Sequence, residues 1–120
     1  MYKRILIATD GSETAMRALR VGADLAQSMS SEIIICHVGS DERGKAVLER
    51  AVEQAGGSPR TISVEGDPAD KILDVAEAEG VDLIVIGNKG MTGARRLLLG
   101  SVPNSVSHHA PCNVLIVKTV

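Results

Sequence analysis

The sequence predicts an α/β protein: a single doubly wound domain with a five-stranded parallel sheet and helices on both faces. Three largely apolar runs indicate its central strands, ILIA at 5–8, IIICHV at 33–38 and VDLIVI at 81–86. Such runs are typical of strands that are buried on both faces, as in parallel sheets. Segments with helical periodicity separate the runs on short connections, and this alternation indicates crossover connections between parallel strands.

Capping residues mark where the predicted helices begin. Ser12 is the expected N-cap of the first helix, in which small and apolar residues recur every three or four positions. Asp67 is the expected N-cap of the third helix, with Pro68 at its first position. The helices are predicted over 13–29, from Ser40 or Asp41 to the Gly56-Gly57 pair, from Pro68 to Gly80, and over 102–109.

Two further strands complete the predicted sheet. Thr61 to Val64 is short, alternating and β-branched, which is typical of an edge strand. Val114 to Val117 is a last apolar strand. Five strands and four helices therefore account for the chain as one domain, 1–120, without a linker or repeat.

Composition excludes several classes of function. The formal net charge is −2 and Tyr2 is the only aromatic residue, so nucleic-acid binding is not expected. The N-terminal residues carry only a short apolar run before Asp10, which predicts neither a signal peptide nor a membrane span. Cys36 and Cys112 have no CxxC spacing. We expect both to be reduced, buried thiols of a cytoplasmic protein.

The stretch 81–106 carries the strongest functional signal. Its apolar run ends at Gly87, Gly90 follows, and after nine more residues Gly100-Ser101 opens the last helix. Glycines at such a point let the backbone take positive φ and approach a ligand closely. A helix N-terminus favours an anion. The spacing matches neither a Walker A loop nor the dinucleotide fingerprint. It predicts a phosphate-binding loop, or else glycines that merely permit a tight turn.

These residues resemble the ATP-binding signature of the universal stress protein family. The flanking segments VDLIVIG, LLLGSV and HAPCNVLIV agree with it, as does the beginning ILIATDGSE, so the resemblance runs from about Tyr2 to Val117. It implies a Rossmann-like sheet in the order 3-2-1-4-5. It also implies ATP, or AMP or ADP, bound outside the carboxyl ends of strands 1 and 4, with Asp10 and Gly87 facing each other across one crevice.

Residue chemistry and the resemblance together predict individual binding residues. Asp10 is the one metal candidate, since its carboxylate could bind Mg²⁺ that the nucleotide phosphates also bind. The alternative is that Asp10 only caps the turn at Gly11. Lys89, Arg95 and Arg96 would neutralise phosphate charge, unless they are only solvated. The implied nucleotide-binding residues are Ala8, Thr9 and Asp10 after strand 1, Val38 at strand 2, and Ile86, Gly87, Asn88, Lys89, Gly90, Gly100, Ser101, Val102 and Pro103 around the loop.

The chain departs from the family pattern at two places. Pro103 stands where the family commonly has a hydroxyl residue, and it brings neither a hydroxyl nor an N–H. The segment after Val38 is only a few residues long, where many relatives carry a long insertion. A weaker phosphate grip and the lack of a covering lid are the expected consequences.

The function expected from the sequence is adenine-nucleotide binding in a stress response. No catalytic residue is predicted, because His37, His108 and His109 have no nucleophile partner, and any ATP hydrolysis should be slow. One alternative is a nucleotide-independent homodimeric interaction module of the same fold. A phosphoacceptor is a third possibility, which requires converging carboxylates where the chain has Asp10 alone.

The last strand predicts self-association. In the implied sheet order NVLIVKTV lies at an edge, where an apolar strand is a template for pairing with another chain. By resemblance the partner is a second copy, so we expect a homodimer through residues 114–120.

Overall fold

The computed structural model describes residues 1–88 and 100–119, over which five strands alternate with four helices. Each element lies within about two residues of its predicted position. The elements are β1 (Arg4–Ala8), α1 (Glu13–Met29), β2 (Glu32–Val38), α2 (Asp41–Ala55), β3 (Arg60–Val64), α3 (Pro68–Glu79), β4 (Leu83–Gly87), α4 (Ser101–His109) and β5 (Asn113–Val117).

The strands form one parallel sheet in the order β3-β2-β1-β4-β5, which confirms the predicted fold class and order. β1 lies at the centre, where Leu6 is opposite both Ile34 of β2 and Ile84 of β4. Its residues Ile5 to Ala8 are fully buried. The apolar run is continuous because both faces of this strand are covered by helices.

Alternate residues of each strand face two different cores. Leu6 and its neighbours on one face pack with Ile72 of α3 and Val106 of α4. Ile7 and its neighbours on the other face pack with Leu19 of α1. The described chain therefore has three layers, with α3 and α4 on one side of the sheet and α1 and α2 on the other.

The predicted helix caps are present. Ser12 Oγ accepts a hydrogen bond from the Ala15 N–H at 3.2 Å, and Asp67 Oδ2 accepts one from the Asp70 N–H at 3.1 Å. Ser40 is the N-cap of α2 without a side-chain bond of this kind. Because α1, α2 and α3 each follow a strand on a short connection, their N-termini lie toward the carboxyl edge of the sheet.

The fourth strand begins later than predicted. Val81 opens its apolar run in the sequence, but β4 starts at Leu83. Gly80 ends α3 in the left-handed conformation, and the Val81 N–H donates to the carbonyl of Ala76 at 3.2 Å. Val81 thus belongs to the helix-terminating turn rather than to the strand ladder.

None of the helices in the described ranges has the length and hydropathy that a membrane span requires.

Candidate functional site

The site predicted from the sequence lies where β1, β2 and β4 end. Ile7 of β1 is opposite Val85 of β4, so the residues that follow these strands, Asp10 and Asn88 among them, emerge at one edge of the sheet. Val38 ends β2 on the other side of β1. The fold therefore brings together the predicted residues of strands 1, 2 and 4, at the edge where open parallel sheets bind ligands.

The turn after β1 is held by its own polar side chains. Thr9 is completely buried, and its Oγ1 accepts from the Gly11 N–H at 3.1 Å. Asp10 Oδ1 accepts from the Ser12 N–H at 2.9 Å. The turn-capping role considered for Asp10 is thus present, and it engages one of the two carboxylate oxygens.

Gly11 is required in this turn for two reasons. Its φ is +83°, a conformation that side-chain-bearing residues rarely adopt. A Cβ at this position would also lie 2.8 Å from Cγ2 of Val47 in α2. The turn therefore packs directly against α2.

The N-terminus of α4 presents backbone N–H groups at the same edge. Gly100 is its N-cap, and Asn104 closes the first helical bond to the Gly100 carbonyl at 3.0 Å. Ser101 is exposed, whereas Val102 and Pro103 are buried. The N–H groups of Ser101 and Val102 have no carbonyl partner within the helix, and they lie at the positive end of its dipole.

Gly100 and Pro103 both fit the start of this helix. Gly100 has φ −61° and ψ 155°, so it does not use the positive φ that glycine permits. A Cβ there would instead lie 3.3 Å from the Asn88 carbonyl oxygen, so glycine serves close packing. Pro103 is the third residue of α4, where the N–H would have no helical partner in any case. It therefore costs the helix no hydrogen bond.

Asn88, predicted to lie in the phosphate loop, makes hydrogen bonds in several directions. Its N–H donates to the Val117 carbonyl and its carbonyl accepts from the Gly100 N–H, both at 2.9 Å. Its Oδ1 accepts from the N–H and from the hydroxyl of Thr119, both at 2.9 Å. These polar groups are thus engaged within the protein in this structure. Sequence reasoning missed Thr119 altogether, because a lone threonine after an apolar strand gives no local signal.

His37 is the buried titratable group nearest to this edge. It is 2% exposed, and its Nδ1 finds no hydrogen-bond partner among the described residues. Ser63 Oγ, in the opposite position on β3, is likewise buried without a described partner. Burial lowers the pKa of His37, and Arg43 lowers it further, whereas Asp10 acts in the opposite direction. His37 is therefore held in its neutral form.

The two cysteines are free thiols in different environments. Cys36 is buried in β2, and burial raises its pKa to about 12. Cys112 is only partly buried, so the expectation that both thiols are buried is wrong for it. Burial, followed by the charge of Asp82, raises its pKa as well. Raised pKa values make both thiols poor nucleophiles at neutral pH.

The remaining predicted cations and glycine lie outside the described residues: Lys89, Gly90, Arg95 and Arg96. Within residues 1–88 and 100–119, no three His, Cys, Asp or Glu side chains are grouped as metal ligands would be.

A cavity of about 600 Å³ lies at the opposite, amino edge, between the ends of α1 and α2. It contains none of the predicted site residues, and α/β sheets bind ligands at the carboxyl edge, so we do not assign the site to it.

The fold and the arrangement of strand ends define a doubly wound α/β protein with the N-terminus of α4 at the carboxyl edge of its sheet. A profile described as the Universal stress protein family matches residues 1–48 and 39–118. Universal stress protein YxiE of Bacillus subtilis is 33% identical over 98% of this chain and 100% of its own length. The chain belongs to the universal stress protein family, as its motifs predicted.

Solved structures agree with this assignment. A universal stress protein in complex with cAMP is similar with a TM-score of 0.88 and 30% identity, covering 99% of this chain and 98% of that one. The universal stress protein of Archaeoglobus fulgidus in complex with dAMP is similar with a TM-score of 0.79 and 27% identity, covering 98% of both chains. These two proteins thus bind adenine nucleotides on the same fold.

Proposed function

We propose that this chain binds an adenine nucleotide, ATP or its products AMP and ADP, at the carboxyl edge of its sheet, and serves in a stress response. The observation that carries the proposal is the start of α4 beside the end of β4, with Gly100 against Asn88. It is supported by the cAMP and dAMP complexes of structurally similar family members.

The described residues suit the phosphate end of a nucleotide. The Ser101 and Val102 N–H groups and the Ser101 hydroxyl would donate to phosphate oxygens at the positive end of the helix dipole. Gly100 carries no side chain there, which lets the backbone of this segment pack closely. The phosphates would lie at the N-terminus of α4.

The nucleoside end would be bound by aliphatic and backbone groups. Val38 and Val64 are only partly buried where β2 and β3 end, and they pack on the core of the α3 side. The Val38 backbone would read the adenine edge, and the second carboxylate oxygen of Asp10 would accept from a ribose hydroxyl. Mg²⁺ would reach the site with the phosphates, with Asp10 as its protein ligand.

The ligand content of the purified protein tests the proposal. The protein is purified without added nucleotide, denatured, and the released small molecules are identified by chromatography and mass spectrometry. An adenine nucleotide near one per chain, or calorimetric binding of added ATP–Mg²⁺, is the expected result. A protein that releases none and gives no heat with millimolar ATP–Mg²⁺ would contradict nucleotide binding.

Two serines of α4 provide a matched pair of variants that places the site. Ser101 is exposed at the first position, and Ser107 is exposed near the other end of the helix, where its hydroxyl donates to the Asn104 carbonyl at 2.8 Å. Ser101→Ala should weaken ATP binding roughly tenfold, since a hydrogen bond to a charged group contributes about 1.5 kcal/mol. Ser107→Ala should leave binding unchanged.

We expect ATP hydrolysis to be slow, because phosphoryl transfer needs a group that positions water and His37 is enclosed by the core. The rate of phosphate release from ATP, measured over hours for the wild-type protein and for Ser101→Ala, checks this. A turnover of many per minute would instead make the protein an enzyme.

The cytoplasmic location expected from the sequence stays a prediction.

A nucleotide-independent homodimer is the second candidate, favoured by β5. This strand is at the edge of the sheet, and its apolar residues Val114 to Val117 are each partly exposed, whereas those of central β1 are buried. An exposed apolar edge favours pairing with a second copy. Light scattering at micromolar concentration should give twice the chain mass. A dimer without nucleotide binding would favour this candidate, and a monomer would exclude it.

A further inference from the structure

The segment after β5 folds back onto the start of the candidate loop. Lys118 is exposed, but the next residue, Thr119, is only 3% exposed, although it is polar and lies outside any strand. Burying a polar residue is unfavourable unless its groups are hydrogen-bonded. The N–H and hydroxyl of Thr119 both donate to Asn88 Oδ1, and its carbonyl accepts from Arg17 Nη1 of α1 at 2.9 Å. Thr119 is therefore anchored on both sides.

Thr119 fixes the orientation of the Asn88 amide. A backbone N–H can only donate, so the side-chain atom that it meets at 2.9 Å must be the Asn88 oxygen rather than its nitrogen. The main chain of Asn88 is bonded in turn to Val117 of β5 and to Gly100 at the start of α4. A continuous series of hydrogen bonds thus runs from α1 through Thr119 and Asn88 to the N-cap of α4.

We infer that Thr119 is a positioning residue for ligand binding at α4. By holding Asn88, it sets the position of Gly100 and thereby the direction of the Ser101 and Val102 N–H groups. This inference rests on the proposed function, because it assumes that those N–H groups meet the nucleotide phosphates. Thr119 is 3% exposed and both of its donors are bonded to Asn88, so it acts through Asn88 rather than as a donor to the ligand.

Preorganisation is the physical basis of the effect. Donors that are already aimed at a ligand bind it without the cost of ordering them first. The Thr119 hydroxyl contributes one of the two hydrogen bonds that Asn88 Oδ1 receives from this residue. Without it, Asn88 would be held by the Thr119 N–H alone, and the contact between its carbonyl and Gly100 would be less restrained.

Substitution of Thr119 tests the inference in the full chain. Thr119→Val removes the hydroxyl and keeps the shape, whereas Thr119→Ser keeps the hydroxyl. We expect Thr119→Val to weaken ATP binding by calorimetry roughly three- to tenfold, the effect of one lost hydrogen bond, and Thr119→Ser to bind within about twofold of wild type. Thr61→Val, an exposed threonine on β3, is the matched control and should not change affinity.

The Asn88→Ala background tests whether Thr119 acts through Asn88. There the acceptor of both Thr119 bonds is gone, so adding Thr119→Val should not weaken binding further. Equal affinity of Thr119→Val and wild type would overturn the inference. Equal loss in Thr119→Val and Thr119→Ser would also overturn it, because it would assign the effect to packing alone.

Hydrogen exchange of the Gly100 amide, measured by NMR without ligand, separates this inference from the proposed function. The Gly100 N–H donates to the Asn88 carbonyl, so Thr119→Val should speed its exchange several-fold, and Thr119→Ser should not. If the wild-type protein binds no ATP, nucleotide binding is contradicted, and this exchange rate decides alone whether Thr119 positions α4. Unchanged exchange in Thr119→Val would overturn that role.

Discussion

The two edges of the sheet are stabilised in different ways. At the amino edge the contacts are made by charged side chains: Arg4 Nε contacts Glu32 Oε2 at 2.9 Å, and Arg60 Nη1 contacts Glu79 Oε1 at 2.8 Å. Asp82 accepts from the N–H groups of Lys3 and Arg4 at 2.9 and 3.1 Å. These charges neutralise one another and bond the strand starts to the ends of the neighbouring elements.

At the carboxyl edge the contacts are made by short, mostly uncharged side chains and by backbone. Side-chain oxygens of Thr9, Asp10 and Asn88 each accept from a nearby N–H. Asn88 Oδ1 also accepts from the Thr119 hydroxyl, and these bonds fix the turns after the strands. The start of α4 adds N–H groups that the helix itself cannot satisfy. The contacts of the amino edge are structural, whereas the carboxyl edge has donors that fit the proposed anionic ligand.

The largest expected effect is on the turn after β1. Gly11→Ala should destabilise the protein by roughly 2–3 kcal/mol, through its left-handed backbone and the contact with Val47. Gly57→Ala is the matched control, because Gly57 has φ +65° with no neighbour within 4 Å of an added Cβ, and it should cost roughly 1 kcal/mol. Urea unfolding measures both. Equal losses would show that packing of the turn on α2 contributes nothing.

The next largest effect is a pH dependence from His37 near the carboxyl edge. Its pKa in the folded state lies below the ordinary 6.5, so the unfolded chain binds the proton more readily. The free energy of unfolding should therefore be highest above pH 6.5 and fall as the pH drops toward the folded-state pKa, by at most about 1.4 kcal/mol per pH unit for one proton.

His37→Gln isolates this contribution, since glutamine keeps polar atoms in the core without titrating in this range. Urea unfolding at several pH values between 4 and 8 should show a smaller slope for the variant than for the wild type. Identical slopes would mean that His37 is protonated equally in the folded and unfolded chains. Arg43, which opposes protonation of His37, provides a second check: Arg43→Gln should reduce the wild-type slope.

The individual strands and helices were predictable from the sequence because their determinants are local. Continuous apolar runs mark β1 and β2, and Ser12 and Asp67 cap helices where they were expected. The sheet order is not a local property, and it came from the family resemblance alone. The start of β4 was placed two residues too early, because Val81 is as apolar as a strand residue but closes the end of α3.

The candidate site was predictable only in part. The glycine pattern after β4 was visible in the sequence itself, whereas the residues that end β1 and β2 were identified through the family resemblance. The hydrogen bonds between Asn88 and Thr119 could not be predicted, since these residues are 31 positions apart and neither has a distinctive sequence pattern around it. Glycine at position 100 was expected to allow a close backbone approach, but the neighbour it approaches, the Asn88 carbonyl, is a contact that only the folded structure shows.

A smaller effect is expected at the amino edge from Asp82. The hydrogen bond from the Lys3 N–H has the largest effect on the pKa of Asp82 and lowers it. Burial raises this pKa, and the hydrogen bond from the Arg4 N–H lowers it, so that it lies below its ordinary 3.8. Its contribution to stability is therefore complete above pH 3.8 and is lost as the pH falls through the lower folded-state pKa. The stability difference between wild type and Asp82→Asn should be constant at neutral pH and shrink below about pH 4. A difference that persists to pH 2 would show that the carboxylate charge is not involved.

The smallest effect is expected from the ion pair between Arg4 and Glu32, whose side chains are 40% and 67% exposed. Water and salt screen such pairs, so Glu32→Gln should cost about 0.5 kcal/mol or less. Arg4→Met should cost more, because Arg4 Nη1 also donates to the Glu79 carbonyl at 2.6 Å. Neither variant should alter ATP binding at the other edge, as calorimetry would show. A change in ATP affinity in Glu32→Gln would mean that the two edges are energetically coupled, and the amino edge would then contribute to ligand binding as well as to stability.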